Sequence, residues 1–316
     1  MKHIIICLLG AVLPQISAAA PQNFLFADSD ALASFAPLIE RPDIGGVQVV
    51  YSWKSLEPAK DRYDFSRIEH DLRFLDGLDR KLFIQIQDRF FEIEHRNVPQ
   101  YLQQEPAYGG GLVAQVDNPG ENQPEGHGWV TQQWNPAVRE RYQRLLAALA
   151  EKFDGRVAGI NLPESAIDID IENDRTGFTC EKYFAAQIDN IGFARKVFRN
   201  SHVVQYVNFW PCEWNNDRQF MSRAFEFADT HKIGLGGPDI VPYKKAQMKN
   251  AYPFFHQYKG KLALVAMAVQ EPTLTHTNPE TNKPFTREEF VAFAEGYLGV
   301  DIIFWSTSSQ WLNEPR

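Results

Sequence analysis

Two glutamates each stand directly after a short apolar run, Glu164 in Gly159-Ile160-Asn161-Leu162-Pro163-Glu164 and Glu271 in Val269-Gln270-Glu271-Pro272. Such a pair suits cleavage of a glycosidic bond with retention. One carboxyl protonates the leaving oxygen while the second attacks the anomeric carbon, the two standing roughly 5 Å apart. Glu164 is the expected acid and base, Glu271 the expected nucleophile. The seven tryptophans, Trp53, Trp129, Trp134, Trp210, Trp214, Trp305 and Trp311, all fall outside the apolar helix stripes, at strand ends or in the loops that follow strands. A flat indole in a cleft suits the apolar face of a sugar ring, and cationic ligands equally, while some of these rings would simply plug a barrel end. No glycine-rich phosphate loop of Walker or dinucleotide type is present, which argues against a nucleotide.

Residues so far apart in sequence need a scaffold that brings strand ends together. Runs rich in Val, Ile and Phe cover residues 23–27, 46–53, 81–88, 157–162, 203–210, 232–236, 262–270 and 301–306, and segments of helical period separate them. Val138, Tyr142, Leu145, Leu149 and Phe153 form one apolar stripe on a helix over 135–153, closed by Gly155. The same spacing recurs in Ile68, Leu72, Leu75 and Leu78, in Phe184, Ile188, Ile191 and Phe198, and in Phe290, Phe293 and Tyr297. Eight alternating units predict a single-domain α/β fold, the (β/α)8 TIM barrel, in which the ends of strands four and seven face each other across the mouth. An open, doubly wound sheet of six strands is the alternative and would turn two of these runs into loops. Residues 89–134, with Gly109-Gly110-Gly111, show no period and predict a long wall or lid after strand three.

The segment Trp53-Lys54-Ser55-Leu56-Glu57-Pro58 followed by Tyr63-Asp64-Phe65 resembles the W-x-x-x-E-P…Y-D-F stretch of the clan A glycoside hydrolases, notably their β-galactosidase-like families. Trp134-Asn135-Pro136 with Arg139, Arg141 and Tyr142 is similar to the helix leading into their fourth strand. The likeness runs over most of the chain after residue 20. It implies an acid/base Glu after strand four, a nucleophile Glu after strand seven, and a sugar-facing aromatic floor at Trp305. One departure stands out. The clan usually places Asn directly before the acid/base Glu to contact the sugar 2-hydroxyl, whereas here Pro163 precedes Glu164 and Asn161 lies three positions upstream. Either Asn161 reaches the mouth by an altered strand end, or the 2-hydroxyl is recognised differently.

A nucleophilic carboxylate needs donors that keep it ionised, and Arg89 and Tyr243 are candidates to face Glu271. Gln87 shares a strand face with Gln85, and Asn208 and Asp239 are further candidates for sugar hydroxyls. Trp53, Trp129, Trp134, Trp210 and Trp305 complete the expected carbohydrate site. Ile167-Asp168-Ile169-Asp170-Ile171-Glu172 alternates like a half-buried strand and predicts a hairpin beside the cleft. Its carboxylates could converge on Ca²⁺, but the glycine of an EF-hand loop is missing. The histidines show no HxH or HxxxH spacing, so neither a metal nor another cofactor is expected.

Residues 1–20 combine Lys2, the apolar run 4–13 and Ala18-Ala19-Ala20, the layout of a secretory signal cleaved after Ala20, which leaves 21–316 as the catalytic domain. The product would be secreted or periplasmic and free of the membrane. Cys180 and Cys212 would then meet an oxidising compartment, either paired or as two buried thiols. A net charge of −8 argues against nucleic acid as partner. The one local basic cluster, Lys244, Lys245 and Lys249, reads as a solvated helix start. Together these features predict a retaining hydrolase of β-linked glycans, with a non-catalytic carbohydrate-binding protein on a degenerate barrel as the alternative. A barrel deacetylase would need metal ligands that the sequence does not offer.

Overall fold

Each of the eight expected strand segments forms a strand, and the eight pair in parallel to close a barrel. They are β1 (Gln22–Asp28), β2 (Ile44–Ser52), β3 (Lys81–Gln87), β4 (Gly159–Leu162), β5 (His202–Tyr206), β6 (Gly234–Gly237), β7 (Val265–Val269) and β8 (Ile302–Ser306). The computed structural model describes residues 20–90, 93–116, 128–270 and 277–314. Glu271 and nearly all of the expected signal segment lie outside the described residues. Closure excludes the open six-stranded sheet, because β1 pairs with both β2 and β8 and leaves no edge.

Pleat parity sorts the side chains into two compartments. Phe24, Phe83, Val204, Tyr206, Ala266, Ala268 and Phe304 fill the bore, while Leu25, Val49, Ile84, Ile160, Met267, Ile303 and Trp305 join the shell between sheet and helices. Large inward rings need small residues beside them. A Cβ added to Gly159 would lie 2.3 Å from Phe83 Cζ, so β4 carries glycine where β3 carries phenylalanine. Across the bore, Gln48 Nε2 donates to the Tyr206 hydroxyl at 2.9 Å. On the same inward parity Phe26, Val50, Gln87, Asn208, Gln270 and Ser306 form a half-buried rim at the carboxyl end of the strands.

The helix over Pro136–Phe153 is capped by Asn135, whose Oδ1 accepts from Ala137 N at 2.9 Å, with Pro136 at its first position. Its predicted stripe, Val138, Tyr142, Leu145, Leu149 and Phe153, is buried throughout. The long connection after β3 is not featureless. Arg89–Phe90, Leu112–Ala114 and Trp129–Thr131 form a small antiparallel sheet, with a helix over Gln100–Gln104. No strand forms over 163–179, which corrects the expected hairpin. There Asp170 caps its own turn through Asn173, and Asp174 accepts from Thr176 and Phe178, so local side-chain bonds replace ladder pairing. Cys180 and Cys212 form a disulfide with Cα atoms 6.1 Å apart. Among the described residues no helix is long and apolar enough to cross a membrane.

Candidate active site

Glu164 leaves β4 on a turn that is fastened on both sides. Pro163 O accepts from Gln205 Nε2, Ser165 N donates to Tyr206 O at 3.0 Å, and Ser165 Oγ donates to Phe209 O at 2.8 Å. The Tyr183 hydroxyl donates to Ser165 O at 3.0 Å, tying the turn to the helix Cys180–Val197. The glutamate is thereby held at the mouth with its side chain 18% exposed. Asn208 Nδ2 donates to Glu164 Oε1 at 3.0 Å, and Arg89 Nη1 lies 3.8 Å from Oε2. Gln247 Nε2 in turn donates to Asn208 Oδ1, and Arg89 Nε donates to Gln115 Oε1 at 3.0 Å. A carboxyl thus faces solvent from a frame of side chains whose own rotamers are bonded, which is what a group meeting a substrate at one defined position requires.

The neighbouring Asp88, at the end of β3, is buried. Desolvation pushes its carboxyl up to about 6, against hydrogen bonds from Gln133 and Thr131 and the charge of Arg89. Gln133 Nε2 donates to Asp88 Oδ2 at 2.7 Å, and Gln133 Oε1 accepts from Asn190. Near the other half of the expected pair, Asp239 Oδ1 accepts from Gln270 N at 3.1 Å, and Asp239 bridges Val269 through the main chain. Asp239 therefore holds the end of β7 where the chain enters Glu271, which itself lies outside the described residues.

Other expected site residues go elsewhere. Asn161 is fully buried in the bore beside Gln85, one pleat below the mouth, so it does not reach a sugar 2-hydroxyl from there. Trp305 faces the outer shell by parity, is 0% exposed, donates to Asn23 Oδ1 and packs on Trp311, so it forms no floor beneath the mouth. Trp53, also 0% exposed, donates to Glu57 Oε2 at 2.9 Å and packs on Tyr142. Glu57 pairs with Arg141, which also bonds Asp61 and Tyr101. Burial opposes the Arg141 charge, yet these hydrogen bonds hold its pKa above the ordinary value. The W-x-x-x-E-P segment and the arginine of the following helix are thus one buried clasp joining the loop after β2 to Pro136–Phe153.

Trp134 donates to Thr176 Oγ1 and packs against Phe178 and Tyr183, and Trp210 packs against Phe184 with 1% exposed. Trp129 is half-buried, with Arg96 4.1 Å over its ring. Gln87 remains on the rim and donates to Arg89 O at 2.7 Å. Tyr243 is exposed, stacks with Phe285 and lies tilted against Phe293 on the flank of the 285–293 segment. Sequence reading missed Ser165, Gln115, Gln247 and Asp88. Only Ser165 and Asp88 carried a signal, as polar neighbours of Glu164 and Arg89 at strand ends; Gln115 and Gln247 lie in segments with no pattern pointing at the mouth.

No protein-family model and no curated protein matches the sequence. Solved structures do match. The catalytic domain of a β-amylase from Paenibacillus polymyxa is 9% identical, with a TM-score of 0.58 over 92% of this chain and 93% of that one. The likeness is one of fold. A family 39 glycoside hydrolase from Bacteroides cellulosilyticus WH2 is 11% identical with a TM-score of 0.55, and the match covers 91% of this chain but 56% of that enzyme's. A GH10 endoxylanase from a sugarcane soil metagenome is 14% identical, TM-score 0.52, over 93% and 88% of the two chains. The (β/α)8 barrel of this chain is therefore one that glycoside hydrolases also use, and function has to be argued from the site.

Proposed function

We propose that this chain is a retaining glycoside hydrolase of β-linked poly- or oligosaccharides. The observation that carries the reading is Glu164, partly exposed at the carboxyl end of β4 and gripped by Asn208 and Arg89. In barrels the carboxyl end of the strands is the catalytic face. Glu164 gives its proton to the glycosidic oxygen as the Glu271 carboxylate attacks the anomeric carbon, and the bond to the leaving sugar breaks. Glu164, now ionised, takes a proton from water. The resulting hydroxide equivalent attacks the same carbon from the face the leaving group vacated and releases Glu271, so configuration is retained. Asn208 and Arg89 orient the carboxyl in both half-reactions. Export of the protein is part of the same proposal, and the Cys180–Cys212 disulfide fits an oxidising compartment.

The test is a product profile over β-linked polysaccharides and aryl glycosides, followed by Glu164→Gln and Glu271→Ala on whichever substrate the native protein cleaves. Loss of a covalent nucleophile is expected to lower the rate by several orders of magnitude. Loss of the acid is expected to cost roughly 10²- to 10⁴-fold, least on aryl glycosides whose leaving groups need no proton. Wild-type turnover in Glu271→Ala would refute the nucleophile assignment. Sugar binding by calorimetry with no product released would favour a binding protein over an enzyme.

A further inference from the structure

We propose that Trp214 and Tyr243 are stacking platforms for successive units of a β-linked glycan chain that runs outward from Glu164 across the loops after β5 and β6, so that the substrate is a polymer and not a small glycoside. This rests on the glycosidase reading and specifies its substrate class. Three open hollows adjoin on this flank of the barrel. The first, ≈ 200 Å³, has Asn208, Trp214, Lys244 and Asn250 on its wall, and Asn208 donates to Glu164 Oε1 at 3.0 Å, which sets it beside the candidate acid. The second, ≈ 570 Å³, takes up the next residues along both loops, Asn215 and Lys245, together with Tyr243, Met248 and Lys249. Asn215 N donates to Asn250 Oδ1 at 2.7 Å, and the Lys249 ammonium lies 5.1 Å over the Trp214 ring, so the first two hollows meet. The third, ≈ 430 Å³, shares Tyr243 and Met248 with the second and continues to Phe285 and Tyr297.

Among the described residues Trp214 and Tyr243 are the two exposed aromatic side chains, at 50% and 42%, and both fall on this track. Each is held out by its loop. Trp214 N donates to Asp217 Oδ1 at 3.0 Å, and the following Asn215 and Asn216 take left-handed backbone with φ of 54° and 57°, in a loop fastened at Cys212 by the disulfide. Tyr243 is also left-handed, with φ of 60°, and its ring stacks on Phe285 with centroids 6.1 Å apart. Asparagine accepts that conformation readily, whereas a bulky tyrosine adopts it against a steric cost, and backbone outliers of this kind gather where ligands bind. Asn215, Lys245 and Lys249 stand beside the rings as exposed polar side chains. An aromatic face flanked by hydrogen-bonding groups matches a sugar ring, which is apolar on its faces and hydroxylated at its edge. Adjoining open hollows suit a strand of such rings, where a single small ligand would need only one.

The probes are cello-, xylo- and β-linked galacto-oligosaccharides, each as a ladder from disaccharide to hexasaccharide, with the aryl glycoside of the same sugar. Cleavage is followed by chromatography, and affinity by calorimetry in the Glu164→Gln protein, where turnover does not intervene. In the native protein kcat/KM and affinity should rise with length on at least one ladder. Trp214→Ala and Tyr243→Asn should each weaken hexasaccharide binding about fivefold, chiefly through KM, with the loss shrinking as the ladder shortens. Tyr243→Asn keeps a residue that tolerates the left-handed backbone, so its loss reports the ring and not the turn. Trp214→Phe and Tyr243→Phe should restore most of the length dependence. No gain with length on any ladder, losses equal at every length, or rings that can be removed without effect in proteins that melt like the native one overturn the proposal. Cleavage of aryl glycosides with no gain along the ladders would leave the hydrolase reading standing and sink this one. Length-dependent binding that needs Trp214 and Tyr243, with no product released, would do the reverse.

Discussion

Asp88 sits one residue from Arg89, which itself reaches Glu164, so its protonation state matters to the electrostatics of the mouth. Its carboxyl titrates at about 6 in the fold against an ordinary 3.8, which means that folding favours the protonated form. The stability this group contributes is therefore fully present below about pH 4 and is lost as pH rises through 6. A carboxyl raised that far corresponds to a loss on the order of 3 kcal/mol by neutral pH. Asp88→Asn keeps an oxygen acceptor for Gln133 and removes the titration. Denaturant midpoints across pH 4 to 7 should fall less steeply in the variant than in the native protein; parallel curves would remove Asp88 as the cause. The contacts around Glu164 also account for Pro163. With Asn161 turned into the bore, the amide at the candidate acid comes from Asn208 on the loop after β5, and proline before Glu164 costs nothing there because the turn is held by Ser165 and by the Pro163 carbonyl.

Among the elements, the clasp of Trp53, Glu57 and Arg141 has the largest consequence for stability. Glu57 is fully buried and is the acceptor for both the indole N–H and the guanidinium. Truncating it leaves Arg141 with a buried charge short of one partner and Trp53 with an unanswered donor. Glu57→Ala is expected to cost about 3–5 kcal/mol in a chemical denaturation curve. Glu57→Ala with Arg141→Met should cost less than the two single changes added together, because the uncompensated charge disappears with its owner. Strict additivity would show that the pair is not coupled. This clasp also accounts for a motif that reads as a sugar site in sequence: Trp-x-x-x-Glu-Pro spaces an indole one helical turn from its acceptor over the short helix Trp53–Leu56, a structural relation that needs no ligand.

For the whole molecule, the disulfide links the start of the helix Cys180–Val197 to the loop after β5 and closes a loop of sequence separation 32. Constraint of the unfolded chain by a loop of that size is worth about 3–4 kcal/mol. Cys180→Ser with Cys212→Ser should lower the melting temperature by a corresponding amount, and dithiothreitol should lower that of the native protein but not of the variant.

The barrel was legible in sequence because its signals are local. Strand runs such as 81–88 and 203–210 and the helix stripe from Val138 to Phe153 depend only on neighbours along the chain, and closure follows from eight such units in order. The Glu164 turn was legible for the same reason, since a glutamate just past a strand in a barrel has one place to go. Orientation across elements was not. Whether Trp305 faces the bore or the shell is set by the register of β8, and a shift of one residue moves every side chain to the other face. Asn161 and Asn208 are both polar residues near strand ends, and only the three-dimensional placement of β4 against β5 decides that the first is sealed inside and the second touches Glu164. The pairing of Cys180 with Cys212, and the approach to Glu164 of Arg89, itself bonded to Gln115, are likewise distances between segments, which the fold sets and no local pattern encodes.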